Sequence, residues 1–476
     1  MSASTSRPSA LIPLPSKEAL LEAYNGLPLS ALPTPALLLD RSIIRRNATR
    51  MAEIAASWDV PLRVHIKTHK TAEGTREMIQ PTGKSGRVVV STLAEAWGLL
   101  DAGLVKEGVV EDIIYGLPVS AARIPQLAEL RSQVQKDNQK AQVRLLIDNE
   151  SQIEALAAHD KGQAWSIMVK LDNGGGRAGL PADSPAFSNL LRLIAKTSSQ
   201  VSLYGFYAHA GHSYDSRQPS EADAFLTSEV QAVIQAASIA QSIFPSASSS
   251  HLVLSVGSTP TAHAASRAPS SATLARVQQE LPAHCELELH AGNYPFLDLQ
   301  QLATRAMPNI TGASQPSQMG DVTVSVLCSV ISTYPGRGTE AGSTEAPPLG
   351  EALIDAGGIA FSKDRGPWGG FGHVVYPTEL RGWQLGRPSQ EHGILTLREG
   401  GPAQWEEQWT LGGAAKAREM PRMPDVGERV MIVPQHACMT LAAHPFYFIV
   451  DEQPGTTQAK PFEPRVVDIW VPWKGW

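Results

Sequence analysis

Eight strand-like runs, each followed by a stretch of helical composition, restrict the fold of this chain more than any other feature. They are LRVHIKT (62–68), RVVVST (87–92), DIIYGLP (112–118), VRLLIDN (143–149), WSIMVKLDN (165–173), LYGFYAHAG (203–211), HLVLSVGST (251–259) and ELELHAGNY (286–294). The stretches between them, such as LAEAWGLLDAG and EADAFLTSEVQAVIQAASIAQSIF, are rich in Ala, Leu, Glu and Gln, which favour helix. Alternation of strand and helix predicts a parallel sheet, and eight units predict its closure. The expected fold class is α/β, a TIM-type (β/α)8 barrel.

Alternation inside the strands adds a second constraint. In the first run Arg63, His65 and Lys67 share one face, with Val64 and Ile66 on the other. Ser166, Met168, Lys170 and Asp172 do the same in the fifth run, Tyr207 and His209 in the sixth, and Glu286, Glu288 and His290 in the eighth. A barrel strand shows its apolar face to the helix layer, so these polar faces point into the lumen. The lumen is expected to be polar towards the C-terminal strand ends, where barrel enzymes keep their active sites.

Past residue 310 the helical signal fades. Short β-rich runs replace it, among them VTVSVLCSVIST, EALIDAGGIAF, GILTLREG, ERVMIVPQHACM and RVVDIWVPW, divided by Pro/Gly-rich loops. That pattern predicts a C-terminal all-β domain. The expected organisation is an N-terminal segment over 1–40, a barrel over 41–310 and a β domain over 311–476. TPALLLD (34–40) has no helix-coupled place in the eightfold count, so it is expected to pair with the β domain. The stretch 335–350 reads as a mobile loop or an insertion.

Composition bounds the function. At 476 residues the chain exceeds one ordinary core. A net charge of -6 supplies no basic field for nucleic acid or anionic lipid. Three cysteines, Cys285, Cys328 and Cys438, are too few for a disulfide framework and suit a reducing compartment. Neither a signal-type apolar region nor a run near the roughly 18 apolar residues of a membrane span is present. A cytoplasmic protein with no nucleic-acid or membrane partner is expected.

Four groups of residues carry candidate chemistry. Lys67 closes the first strand, and cationic Arg63 with His65 on its own face would favour the neutral amine that a Schiff-base lysine needs; Lys70 reads as a solvated surface lysine. The run S-V-G-S-T-P-T (255–261), with Gly257, Ser258 and Thr259, follows strand seven. G-N-Y, with Gly292, Asn293 and Tyr294, follows strand eight. Loops there often bind phosphate, although each motif alone also reads as an ordinary turn. His436 and Cys438 form an H-x-C pair on an expected strand, a spacing that puts imidazole and sulfur on one face within reach of one Zn²⁺. Arg177, in D-N-G-G-G-R-A-G (172–179), lies near the barrel mouth and could meet a phenolate or carboxylate. Cys285 and Cys328 are assigned to packing.

Taken together, these positions resemble the eukaryotic-type D-serine dehydratases and the related D-threonine aldolases, which share the alanine-racemase-like barrel. The match runs from about Leu32 to Phe448. R-V-H-I-K-T-H-K looks like the family's lysine segment, which implies that Lys67 holds pyridoxal phosphate. G-F-Y-A-H-A-G-H-S-Y is similar to the segment placing a Tyr and a His beside the cofactor ring, here Tyr207 and His209. S-V-G-S-T-P-T and G-N-Y look like the phosphate cup, and V-P-Q-H-A-C like the zinc-ligand segment. His290 stands where alanine racemases carry an Arg facing the pyridine nitrogen. D-A-G (355–357) and E-H-G (391–393) also match, without an assigned role. Val64, Gln435 and Ala291 depart from the usual pattern but remove no functional group.

The resemblance implies a homodimeric, pyridoxal-phosphate- and zinc-dependent lyase that removes the β-hydroxyl of D-serine, giving pyruvate and ammonia. In it Lys67 takes the α-proton, and zinc on His436 and Cys438 carries off the hydroxyl. The same residues suit two alternatives, a D-threonine aldolase and a 3-hydroxyaspartate dehydratase. A racemase would need a second base opposite Lys67. A non-enzymatic pyridoxal-phosphate carrier would leave the β domain without a use.

Overall fold

Eight short strands, buried along most of their length on both faces, close into a parallel ring. A computed structural model describes residues 12–159, 162–244, 251–266, 277, 279–307, 319–337, 349–410, 420–451 and 464–476. Strand β1 (Ala36–Asp40) belongs to a second unit. Strands β2 (Leu62–His65), β3 (Gly86–Val90), β4 (Val110–Pro118), β5 (Gln142–Ile147), β6 (Trp165–Leu171), β7 (Val201–Ala208), β8 (Leu252–Val256) and β9 (Cys285–Ala291) form a closed barrel. The ring closes where β2 pairs with both β3 and β9.

Helices begin where the sequence offers a cap. The Thr92 hydroxyl accepts from the Glu95 N–H at the start of the helix Leu93–Asp101, while the Glu95 carboxylate accepts from the Ser91 N–H at 2.8 Å. Ser184 caps Pro185–Lys196 in the same way, with proline in the first turn.

The lumen is layered, which changes the reading of its polar face. Arg63 is fully buried and reaches Glu288 at 2.7 and 3.0 Å and Asp112 at 2.7 Å. Arg144 meets the other oxygen of Asp112, and Arg87 shares Oε2 of Glu288 with Arg63. A separate layer of Val89, Ile114, Leu146, Met168, Tyr207 and Val253 is apolar. Much of the strand polarity is therefore an internal ion-pair network, since charges inside a barrel must be matched by opposite charges.

The second unit is antiparallel. Strands β10 (Val324–Pro335), β11 (Gly350–Ile354), β12 (Gly372–Tyr376), β13 (Trp383–Pro388), β14 (Gly393–Leu397) and β15 (Arg429–Pro434) form a six-membered ring that β10 closes by pairing with both β11 and β15. β1 extends it, antiparallel to β10 and parallel to β16 (Tyr447–Val450), which pairs with β17 (Asp468–Trp470). Val326, Val330, Trp383, Leu395, Ile432 and Trp470 fill its core, together with Cys328. Asp355 is structural, accepting from the Ser329 N–H at 2.8 Å and the Thr34 hydroxyl at 2.5 Å. Of the stretch 335–350, residues 338–348 lie outside the described residues, as do residues 1–11 of the leader.

The units divide at Asn47/Ala48 and Gly292/Asn293, not at 40/41 and 310/311. The reason is packing: Leu297, Leu299, Leu302 and Met307 cluster with Val322 and Val433 of the second unit. Trp473–Trp476 return to the barrel unit. Among the described residues no helix is long and apolar enough to cross a membrane.

Candidate active site

β2 ends at His65, so Lys67 stands not on the strand but in the 3-10 turn Ile66–Thr68 that follows it. The His65 Nδ1 accepts from the Lys67 N–H at 3.4 Å, and its Nε2 lies 3.4 Å from the Ser91 hydroxyl. Arg63, on the same face of the run, is not a bare cation, because the Asp112 and Glu288 carboxylates pair with its guanidinium. Lys70 also departs from its expected role. Its Nζ pairs with the buried Glu95 carboxylate at 3.3 Å, and its backbone is left-handed.

Three histidines gather at the C-terminal strand ends. The His209 Nδ1 donates to the Gly257 carbonyl at 2.7 Å, and its ring lies 5.7 Å from that of His290. Tyr207 stacks on His290 with centroids 4.1 Å apart. Burial, with Lys170 and Lys67 nearby, pushes His209 down to about 3; burial and His209 hold His290 well below the usual imidazole range, and burial and Lys67 do so for His65. All three are neutral at pH 7. The Tyr207 phenol is pushed up by burial and keeps its proton.

Ser255 fixes the tautomer of His290. Its hydroxyl donates to Glu288 at 2.7 Å, so its oxygen accepts from Nδ1–H of His290 at 3.0 Å. Nε2 of His290 is left buried and unprotonated, with no partner among the described residues.

The turn after β8 is built for close approach. Gly257 has φ +141°, and a side chain there would overlap the His290 carbonyl. Ser258 and Thr259 are buried behind it, the Ser258 hydroxyl 2.7 Å from that of Ser213. Glu229, fully buried, accepts from the Ala210 N–H at 2.5 Å, next to His209. Burial pushes its carboxyl up to about 8, against hydrogen bonding from Ala210, Thr261 and Gly257. Gly292 closes on His65, leaving little room for a side chain. Asn293 and Tyr294 belong to the second unit, where Asn293 donates to Asp298 at 2.9 Å and the Tyr294 hydroxyl is buried without a partner.

Arg177 lines a cavity of about 430 Å³ with Lys170, Asp172, His209 and His212. Asp172 shapes that loop by accepting from the Gly174 and Gly176 N–H groups. Burial, reinforced by Arg177, lowers the Lys170 ammonium to about 8.

His436 and Cys438 are not on a strand. β15 stops at Pro434, His436 is the N-cap of the helix Ala437–Ala443, and Cys438 is in its first turn. The pair still meets. Burial would lower the imidazole, yet Cys438, Asp298 and Asp364 raise it to about 9, so the spot attracts positive charge. The Asp364 carboxylate takes Nδ1 at 2.6 Å, so Nε2 is the nitrogen that could face a metal ion. Among the described residues no group of three or more His, Cys, Asp or Glu side chains could hold a metal ion, so these two donors would need further ligands from outside the side chains.

The family model described as "Alanine racemase, N-terminal domain" matches residues 39–277, and that described as "Putative serine dehydratase domain" matches residues 323–450. The D-serine dehydratase of Schizosaccharomyces pombe is 38% identical over 466 residues, 97% of this chain and 96% of that protein. The chain belongs to the D-serine dehydratase family. The solved D-threo-3-hydroxyaspartate dehydratase of Delftia sp. HT23 superposes with a TM-score of 0.69 at 30% identity, covering 94% of this chain and all of that one. A cysteine-to-alanine variant of D-threo-3-hydroxyaspartate dehydratase, described as metal-free, gives 0.68 at 28% over the same shares.

Within this dehydratase family member, the departures from the usual pattern have local explanations. Val64 is buried in the barrel wall, and the Gln435 amide donates to the Gly369 and Gly370 carbonyls. Sequence reasoning missed Ser255, Glu229 and Asp364 as partners of the site. Ser255 opens the S-V-G-S-T-P-T motif, which is the one available signal among them; Glu229 and Asp364 have none.

Proposed function

We propose that this chain is a pyridoxal-phosphate- and zinc-dependent D-serine dehydratase, converting D-serine to pyruvate and ammonia. What carries this reading is Lys67 close to the neutral imidazoles of His65 and His209 at the C-terminal strand ends, in a chain whose relative is a D-serine dehydratase over nearly its whole length. The residues fit the cofactor. His290 offers a buried ring nitrogen with no partner among the described residues, and Gly257 keeps the turn after β8 free of a side chain, so that its backbone can approach closely.

Lys67 would hold the cofactor, with Tyr207, His209 and His290 around its ring. Gly257, Ser258 and Thr259 would hold its phosphate, with Gly292, Asn293 and Tyr294 as further proposed members. Bound there, pyridoxal phosphate supplies an electron sink for the charge left on the α-carbon. The Lys67 amine takes the α-proton of D-serine, a positioned transfer worth about 10²- to 10⁴-fold. Arg177 and Lys170 offer cations to the α-carboxylate. Toward that ring His290 would offer Nε2 as a hydrogen-bond acceptor and no charge, so the electron sink it supports would be modest. A poor leaving group then needs electrophilic help. Zinc on His436 and Cys438 would supply that Lewis acidity to the β-hydroxyl. Loss of water, then hydrolysis of the resulting imine, leaves pyruvate and ammonia.

We take the working assembly to be a cytoplasmic homodimer, as the resemblance implies; light scattering on the purified protein tests the dimer. Incubating the enzyme with D-serine, D-threonine and D-threo-3-hydroxyaspartate in parallel tests the reaction. Pyruvate and ammonia from D-serine as the fastest reaction is the expected result. Glycine and acetaldehyde from D-threonine, with no pyruvate from D-serine, overturns it in favour of an aldolase, and a faster reaction with the hydroxyaspartate overturns the substrate.

A further inference from the structure

The segment Trp473–Trp476 lies in the barrel unit, far in sequence from everything it touches there. The Trp473 N–H donates to the Lys70 carbonyl at 2.8 Å. Lys70 is three residues past Lys67 and closes the same turn, its own N–H donating to the Ile66 carbonyl at 2.9 Å. Its backbone is left-handed, with φ +54°.

The Trp473 indole rests on Gly98 of the helix Leu93–Asp101, and a Cβ at Gly98 would overlap its ring atoms. That helix also carries Glu95, fully buried, which pairs with the Lys70 ammonium and accepts from the Ser91 N–H. The Ser91 hydroxyl reaches back to His65, whose Nδ1 receives the Lys67 N–H. Two routes therefore tie the Lys67 turn to one helix: Lys70 Nζ through Glu95, and the Lys70 carbonyl through Trp473.

A glycine inside a helix is less favourable than an alanine. Its presence at position 98 is explained by the indole seated on it.

We infer that Trp473 is a positioning residue, a clasp that pins the Lys67 turn to the helix Leu93–Asp101 and so sets where the Lys67 amine stands. This rests on the reading that Lys67 holds the cofactor. The clasp acts through backbone placement, so its loss displaces the amine without removing any reacting group; misplacement by about 1 Å is enough to cost on the order of 10²-fold in rate.

The test is a double-mutant cycle on the holoenzyme: wild type, Gly98→Ala, Trp473→Ala and the double variant. Turnover of D-serine, the visible cofactor spectrum, the rate of Schiff-base formation with added pyridoxal phosphate and thermal unfolding are read on each. Gly98→Ala favours the helix, so it keeps the fold while its methyl displaces the indole. The expected result is that each single change lowers kcat and slows Schiff-base formation at least about tenfold, with KM moving less than twofold, and that the double variant is no worse than either single one. Trp473→Phe, which keeps a ring over Gly98, recovers most of the loss. Single variants within twofold of wild type, or effects that multiply in the double variant, overturn the clasp. Borohydride reduction of the wild type separates the two readings: a label on Lys67 with a multiplicative cycle sinks the clasp alone, whereas a label on another residue sinks the assignment of Lys67.

Discussion

The Ser255 hydroxyl stands 3.0 Å from Nδ1 of His290. Because the same hydroxyl donates to Glu288, the imidazole is held as one neutral tautomer with its second nitrogen bare. One hydroxyl thus links His290 to the charged layer of the barrel through Glu288.

Ser255→Ala removes that relay while leaving His290 in place. Loss of one hydrogen bond to a charged-group network costs about 1.5–3 kcal/mol, so cofactor affinity is expected to fall roughly tenfold to a hundredfold. Titration of the cofactor-free protein with pyridoxal phosphate measures it. Wild-type affinity in the variant would mean that the tautomer of His290 is set by something else.

Arg63 is the hub of the lumen network. Arg63→Met leaves Glu288 and Asp112 buried with fewer counter-charges, which is expected to cost about 3–5 kcal/mol of stability. Burial alone would raise the Asp112 carboxyl, yet Arg63 and Arg144 hold it below its usual value, so its contribution is present above the unfolded carboxyl range and fades as pH falls. Urea unfolding at pH 7 and pH 4 checks both statements: the variant should lose less stability on acidification than the wild type does.

Glu229 carries the opposite sign. Its folded carboxyl sits at about 8, above the unfolded 4.5, so the native state holds an extra proton between those values and stability declines as pH rises through them. Glu229→Gln mimics the protonated form. Its unfolding temperature is expected to pass that of the wild type as pH goes from 5 to 9, with a gain above about 1 kcal/mol at the upper end. A difference that does not vary with pH would show that Glu229 is ionised throughout.

Removing metal addresses the second unit. Cys438→Ala, or a chelator, is expected to lower bound zinc and to cut D-serine turnover by 10²-fold or more, while the visible cofactor absorbance persists. Asp364→Asn, which disturbs only the partner of His436 Nδ1, is expected to weaken metal binding about 10- to 100-fold. Metal analysis and activity on the same samples decide; full turnover without zinc would remove the metal from the reaction.

The barrel was legible because its evidence is local. Period-two alternation in runs such as LRVHIKT survives in the structure as β2 with its inward Arg63 and His65, and helical stretches start at readable caps such as Thr92 and Ser184. What alternation cannot supply is depth along the lumen. Arg63 and Lys67 share a face in the sequence, yet one is sealed among carboxylates and the other stands beyond the end of the strand. H-x-C was legible as a pair but not as a turn, since Pro434 ends the strand two residues before His436. Contacts between distant segments left no trace at all: nothing near Gly98 announces Trp473, and nothing in the helix Pro219–Ile243 marks Glu229 as the partner of Ala210.

Reducing the pyridoxal-phosphate-loaded enzyme with borohydride, digesting it and locating the pyridoxyl group by mass spectrometry bears most directly on the chemistry assigned to the barrel mouth. The label is expected on the peptide containing Lys67, and on that lysine alone. A label on Lys170 or Lys70, or none in protein saturated with cofactor, would contradict the assignment.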